Sequence, residues 1–211
     1  MQHALFDNSA LPRHQHYSLG SASLDYYPAW LDGARADHCY GQLLRDTPWR
    51  QDTLRFGGKP VLVPRLQAWY GDTQARYGYS GLTLTPLPWT PLLQELRDEL
   101  QRALQRPFNA VLLNYYRDGN DSVAWHSDDE AELGAAPMIA SLSLGAVRRF
   151  ELQARDRARH GANKHTLDLA HGSLLVMGAG LQQHWRHQLP KQPGIGSSRL
   201  NLTFRFIHAV A

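Results

Sequence analysis

Leu92, Leu93, Leu96, Leu100 and Leu104 recur at helical spacing, while Glu95, Arg97, Asp98, Glu99 and Gln101 fill the other face. Thr90 followed by Pro91 supplies an N-cap and a first turn, so this stretch predicts a helix lying across a sheet. Residues 32–46 read as a shorter helix. After Phe108 the period changes. Short apolar runs at 110–116, 138–144, 149–153, 173–177 and 199–207 are separated by turn residues, and such regularly spaced strands predict a sandwich or jelly roll. The chain is accordingly read as an N-terminal extension over 1–107 and a β core over 108–211, together one compact unit.

The last run is the most informative. Leu200, Leu202, Phe204 and Phe206 alternate with Arg199, Asn201, Thr203 and Arg205, so one face is core and the other polar. Inside a small barrel such a polar row lines a pocket for a charged ligand. Arg199 and Arg205 offer guanidinium forks that match carboxylates in a bidentate geometry lysine cannot reproduce. Six residues of strand place their Cα atoms ~20 Å apart at ~3.3 Å per residue, so both side chains must lean inward to share one small ligand.

Composition narrows the classes. With Cys39 the only cysteine, an intramolecular disulfide and a cysteine-based zinc site are excluded, and a reducing compartment fits. The balance of 22 Lys+Arg against 19 Asp+Glu is compatible with a polyanionic partner without indicating one. The opening residues hold no apolar signal core, and no stretch of about 18 apolar residues occurs. A soluble, cytoplasmic protein with no membrane partner is expected.

His126-Ser127-Asp128 puts an imidazole and a carboxylate two apart, on the same side of extended backbone. A third ligand from a distant strand would complete a two-histidine, one-carboxylate triad that leaves positions on Fe(II) open. His184 and His187 both sit in the right region, and spacing alone does not separate them. Asn114 and Tyr116 form another pair two apart on a predicted strand.

These residues lie in the blocks NAVLLNYYRDGNDSVAWHSDDE, PMIASLSLGAVRRFEL, HGSLLVM, WRHQLPK and RLNLTFR, preceded by PRLQAWYGD and YSGLTLTPLPW. Together they resemble the AlkB family of oxidative nucleic-acid dealkylases, from about Phe56 to Ile207 and in the branch with an H-x-D-D-E motif. The resemblance implies a mainly β, α+β fold: a double-stranded β-helix (jelly roll) core with N-terminal helices and a nucleotide-recognition hairpin that grips nucleic acid. It implies Fe(II) held by His126, Asp128 and His187, the last because the family's ligand follows Trp-x and precedes x-x-Pro. 2-Oxoglutarate would contact Arg199 and Arg205, with Asn114 and Tyr116 and the same-row Asn201 and Thr203. Coupling 2-oxoglutarate and O2 to succinate and CO2 would hydroxylate an N-methyl group, which leaves as formaldehyde.

For the substrate, alkylated DNA or RNA, the resemblance implies a flipped base stacked on Tyr79, with Tyr77 beside it and His126 over its other face. Glu130 would read the exocyclic amino group, and a carboxylate there suits cationic 1-methyladenine or 3-methylcytosine; Asp129 stands next to it. Phe56-Gly57-Gly58-Lys59 resembles a hairpin finger that fills the gap left by the base, with Arg65 just beyond it. One extra residue before Pro64 shifts the finger's register, so a buried Phe56 is the alternative. Arg148, Arg149, Arg155, Arg157, Arg159 and Lys164 form a basic stretch suited to phosphates or to a solvated hairpin. The competing functions are a 2-oxoglutarate oxygenase acting on protein, lipid or a small molecule, and a non-catalytic nucleic-acid-binding β-barrel. A monomer is expected.

Overall fold

The computed structural model describes residues 13–56, 59–75, 77–79, 82–156 and 164–208. A hairpin of β1 (Gln15–Leu19) and β2 (Ala22–Tyr27) opens the fold and leads into α1 (Gly33–Asp46). Two small hairpins follow, β3 (Thr53–Phe56) with β4 (Lys59–Leu62), and, after β5 (Leu66–Gly71), β6 (Tyr77–Tyr79) with β7 (Leu82–Leu84). Then come α2 (Pro91–Leu104), β8 (Ala110–Tyr116), β9 (Val123–His126), a short 3-10 turn (Ala131–Leu133), β10 (Ile139–Gly145) and β11 (Arg148–Ala154). The last elements are β12 (Lys164–Leu169), β13 (Ser173–Met177), α3 (Leu181–His184), β14 (Trp185–Leu189) and β15 (Arg199–Arg205).

The strands build a seven-stranded sheet in the order β1-β2-β13-β10-β15-β8-β5 and a four-stranded sheet in the order β12-β11-β14-β9. Every pairing within them is antiparallel, as expected for a jelly roll. Strands from both sides of residue 108 thus share the larger sheet.

Both predicted helices form. Asp32 caps α1 by accepting the Arg35 N–H at 2.9 Å, and Thr90 caps α2 by accepting the Leu93 N–H at 3.3 Å. Leu93, Leu96 and Leu100 of α2 join Ala36, Cys39 and Leu43 of α1 in one core cluster against Leu142, Leu144, Leu200, Leu202 and Phe204. A second cluster, with Phe150, Leu152, Trp185, Leu175 and Met177, fills the space between the two sheets. The central strands of the larger sheet are therefore buried on both faces, which is why β15 has no exposed residue.

Strand β15 stops at Arg205, two residues short of the expected end. There the Asn109 side chain takes over the pairing, accepting the Ile207 N–H at 2.7 Å and donating to the Ile207 carbonyl at 2.8 Å. No helix among the described residues is long and apolar enough to cross a membrane.

Leu96→Ala is expected to lower the unfolding free energy by about 3 kcal/mol, because the residue is fully enclosed and leaves a cavity. Gln94→Ala, on the exposed face of α2, should change it by less than about 0.5 kcal/mol. Urea denaturation of both variants checks the placement of this helix.

Candidate active site

The two sheets face each other across a cavity lined by polar residues from the larger sheet and by His126, Phe150 and His187 from the smaller one. Cross-strand register carries a polar row across the larger sheet. Gln67, Asn114, Asn201 and Ser143 are consecutive partners across β5, β8, β15 and β10, and Tyr116 pairs with Arg199. The Asn201 amide donates to Ser141 Oγ at 2.8 Å, and Thr203 Oγ1 donates to Asn201 Oδ1 at 3.0 Å. Arg65, expected among the substrate residues, is only 4% exposed and lines this same cavity, its Nε donating to Asn114 Oδ1 at 2.6 Å.

At the other wall, His126 and His187 are direct partners across β9 and β14, their ring centroids 4.2 Å apart. Asp128 lies two residues past His126, just beyond the end of β9, and its N–H donates to Gln182 Oε1 at 3.0 Å. Ser127 points the other way, donating to the Trp185 carbonyl at 2.8 Å, so the chain is held between the residues that face inward. One ligand atom from each of His126, Asp128 and His187 lies within 4.8 Å of the others, the one such group among the described residues. His184 ends α3 and is outside it.

The protonation states suit a cation. A carbonyl only accepts, so the 2.9 Å contact between His126 Nδ1 and the Ala124 carbonyl places the proton on Nδ1 and leaves Nε2 with its lone pair. Burial would raise the Asp128 carboxyl, but the Arg205 guanidinium and the two imidazoles override it and hold the group at about 2. Burial, and after it the neighbouring His126, pushes His187 down to about 3. At neutral pH the set is one carboxylate and neutral imidazole, the form a divalent transition metal requires.

The two arginines divide the cavity between them. Arg205 donates Nη2 to Asp128 Oδ1 at 3.0 Å, at the metal-ligand end. Arg199, 2% exposed, donates Nη2 to Ser143 Oγ at 2.9 Å and stands beside Tyr116 at the other end. Burial pushes Arg199 down to about 10, so it remains a cation at neutral pH. Its Nε and Nη1 are buried with no hydrogen-bond partner among the described residues. Unsatisfied donors on a buried guanidinium are costly, and an anionic ligand relieves that cost. The cavity therefore fits a carboxylate at one end and a metal at the other.

At the mouth, Asp129 is half exposed and forms an ion pair with Arg155, while Glu130 leads the 3-10 turn. The side chains of Phe56, Tyr77 and Tyr79 lie outside the described residues, as do Arg157 and Arg159; the backbones of the first three form the ends of β3 and β6. Two mouth residues escaped the sequence reading. Arg186 is stacked over the Trp125 ring at 5.3 Å and fixed by two bonds to Gln153 Oε1, at 3.1 and 2.6 Å. They border a surface hollow that also includes His126 and Arg155. Their register across β9, β14 and β11 makes the shelf, and nothing local in the sequence reveals it. One expectation is corrected: Arg148, read as part of a basic surface stretch, is 1% exposed, because its guanidinium is consumed by interior carbonyls.

A metal triad and a cationic pocket between the two sheets of a jelly roll define an iron- and 2-oxoacid-dependent oxygenase, and the chain belongs to the 2OG-Fe(II) oxygenase superfamily, whose family model matches residues 23–205. Within that class it is a member of the AlkB family. It is 38% identical over 195 residues to human alpha-ketoglutarate-dependent dioxygenase alkB homolog 3, covering 90% of this chain and 68% of the relative. To DNA oxidative demethylase ALKBH2 it is 42% identical in Bos taurus, covering 86% of this chain and 68% of that one, and 40% identical in Mus musculus, covering 93% and 84%. The chain spans about two thirds of the length of the alkB homolog 3 relatives, 68% of the mouse and 65% of the cattle protein. The solved structure of OsALKBH1 shares the fold, with a TM-score of 0.57 at 16% identity over 92% of this chain and 99% of the other. The protein is thus an oxidoreductase that uses Fe(II), 2-oxoglutarate and O2.

Two outcomes are expected from this geometry. His126→Ala, Asp128→Ala and His187→Ala each abolish tight Fe(II) binding in a metal titration, whereas His184→Ala retains it; the reverse result for the two histidines would reassign the ligand. Arg205→Lys keeps the charge but loses the planar fork, so calorimetry should show 2-oxoglutarate binding weakened about tenfold.

Proposed function

We propose that the protein oxidatively demethylates N-alkylated bases, 1-methyladenine and 3-methylcytosine, in DNA, and so repairs alkylation damage. The observation that carries this reading is the rim of the cavity. Directly beside His126 a surface hollow holds a fixed Arg186–Trp125 shelf and Arg155, and the carboxylate of Asp129 is paired with Arg155. Carboxylates suit a cationic methylated base, and a guanidinium on an aromatic ring suits a phosphodiester chain with unstacked bases. Relatives named DNA oxidative demethylase support the same class of substrate. A monomeric enzyme resident in the cytoplasm is part of the proposal.

In this mechanism His126, Asp128 and His187 hold the iron, and Arg199 and Arg205, with Asn114, Tyr116, Asn201 and Thr203, hold and orient 2-oxoglutarate. When bound, iron, 2-oxoglutarate and O2 supply the oxidising power that turns the N-methyl group into a hydroxymethyl group, with succinate and CO2 as co-products. The hydroxymethyl group leaves as formaldehyde and the base is restored. Arg205 keeps the Asp128 carboxylate ionised and aimed, and Phe150, Leu169 and Leu189 dry the walls of the cavity. Tyr79 stacks the flipped base with Tyr77 beside it, Glu130 reads its edge, Asp129 sets the position of Arg155, and Phe56 fills the gap in a duplex. Arg65 ties the recognition segment to Asn114.

Matched single- and double-stranded DNA and RNA oligonucleotides, each with one methylated base, test the proposal by mass spectrometry and formaldehyde release. Demethylation of DNA is expected. Tyr79→Ala should weaken lesion binding about tenfold, on the scale of ~1–3 kcal/mol per stacked base, and Glu130→Gln should narrow the preference for methylated over normal bases. Absence of lesion-dependent formaldehyde from every oligonucleotide, in protein that binds iron and 2-oxoglutarate, would reassign the substrate to a protein or small molecule.

A further inference from the structure

Arg148 carries a second buried guanidinium behind the cavity. From β11 it donates Nε to Gln192 Oε1 at 3.3 Å, Nη1 to the Asp118 carbonyl at 3.0 Å, and Nη2 to the Asp121 and Pro190 carbonyls at 2.8 Å each. All four acceptors are neutral, and the Asp121 carboxylate is bound by Arg117 instead, at 2.8 Å through both oxygens. A buried charge spread over carbonyls is a costly way to join loops that are already joined. Gly119 N–H donates to the Ile195 carbonyl and Gln192 N–H to the Gly119 carbonyl, each at 2.7 Å. The contact is so close that a Cβ at Gly119 would fall 1.8 Å from the Gln192 carbonyl oxygen.

The position of the charge is more telling than the loops it crosses. The Arg148 guanidinium carbon lies 5.8 Å from the centroid of the Tyr116 ring, and that of Arg199 lies 5.2 Å from the same ring. Tyr116 thus has two guanidinium groups against its ring, of which only Arg199 reaches the cavity. Tyr116 is also the cross-strand partner of Arg199, so the place of its ring bears on where the Arg199 fork points.

We propose that Arg148 is a positioning residue for cosubstrate selection. By bracing Tyr116 against Arg199 it sets the far end of the cavity for a second carboxylate, so that the site prefers a dianionic 2-oxoacid to a monoanionic one. The proposal rests on the reading above that Arg199 receives one carboxylate of 2-oxoglutarate. Arg148 touches neither cosubstrate nor metal and acts through Tyr116.

Calorimetry on the full chain loaded with Mn(II) compares 2-oxoglutarate with 2-oxopentanoate, which lacks the second carboxylate. Arg148→Met should weaken 2-oxoglutarate about tenfold and leave 2-oxopentanoate unchanged, and Arg148→Lys, which keeps a cation but cannot span four acceptors, should lose about threefold in the same ratio. In turnover, KM for 2-oxoglutarate rises while kcat and KM for the oligonucleotide hold. Equal losses for both oxoacids would make Arg148 merely structural and overturn the proposal, as would an unchanged ratio in either variant. If Arg148→Met does not fold, the ratio in Arg148→Lys decides. Should the wild-type protein itself fail to prefer 2-oxoglutarate, the fault lies with the Arg199 assignment rather than with Arg148.

Discussion

A strand buried on both faces leaves no side chain to water, and β15 is such a strand. Its outer face meets the helix layer and must be apolar; its inner face opens on a cavity and is allowed to be polar only if every group there finds a partner. Asn201 and Thr203 find theirs on β10 and on each other, Arg205 finds Asp128, and Arg199 keeps two donors for a ligand. The architecture of the cavity follows from satisfying this one polar row. The Arg205–Asp128 pair in it also rivets the larger sheet to the segment that carries the metal ligands. Breaking a buried pair of this kind typically costs about 3–5 kcal/mol, because the remaining charge is stranded.

The charges in the cavity are arranged in sequence. One carboxylate and neutral imidazole face the metal position, one guanidinium neutralises the carboxylate, a second stands at the far end, and a third, that of Arg65, is held on Asn114. Without ligands the enclosure holds more positive than negative charge, so it draws in a cation only at the three-residue cluster and an anion elsewhere. The two ends are specialised before anything binds, and the register of β8 and β15 keeps them apart.

Much of this was legible in the residues themselves. The alternation in β15, the leucine stripe of α2 and the apolar runs of β8 and β13 each reflect burial decided within a few neighbours, and the structure places them within a residue or two. The H-x-D pair was legible for the same reason, since extended backbone puts residues two apart on one side. Other features depend on partners far along the chain. His187 was separated from His184 only by family resemblance, because its place opposite His126 comes from the pairing of β14 with β9. Arg148 looked like one more surface cation in a basic run; its burial depends on carbonyls from two loops 27 to 42 residues away. The Arg186–Trp125 shelf joins strands about sixty positions apart, and neither residue is unusual where it stands.

Among the described residues, the two small hairpins, β3–β4 and β6–β7, form two-stranded sheets of their own, apart from the strand order of either main sheet. Every residue at the metal cluster or on the polar row lies elsewhere. An insertion, deletion or exchange in either hairpin consequently leaves the register of each ligand-bearing strand intact. Lineages built on this scaffold are free to diversify what they recognise while the redox apparatus stays unchanged, and a single added residue near Phe56 is the kind of variation such freedom permits.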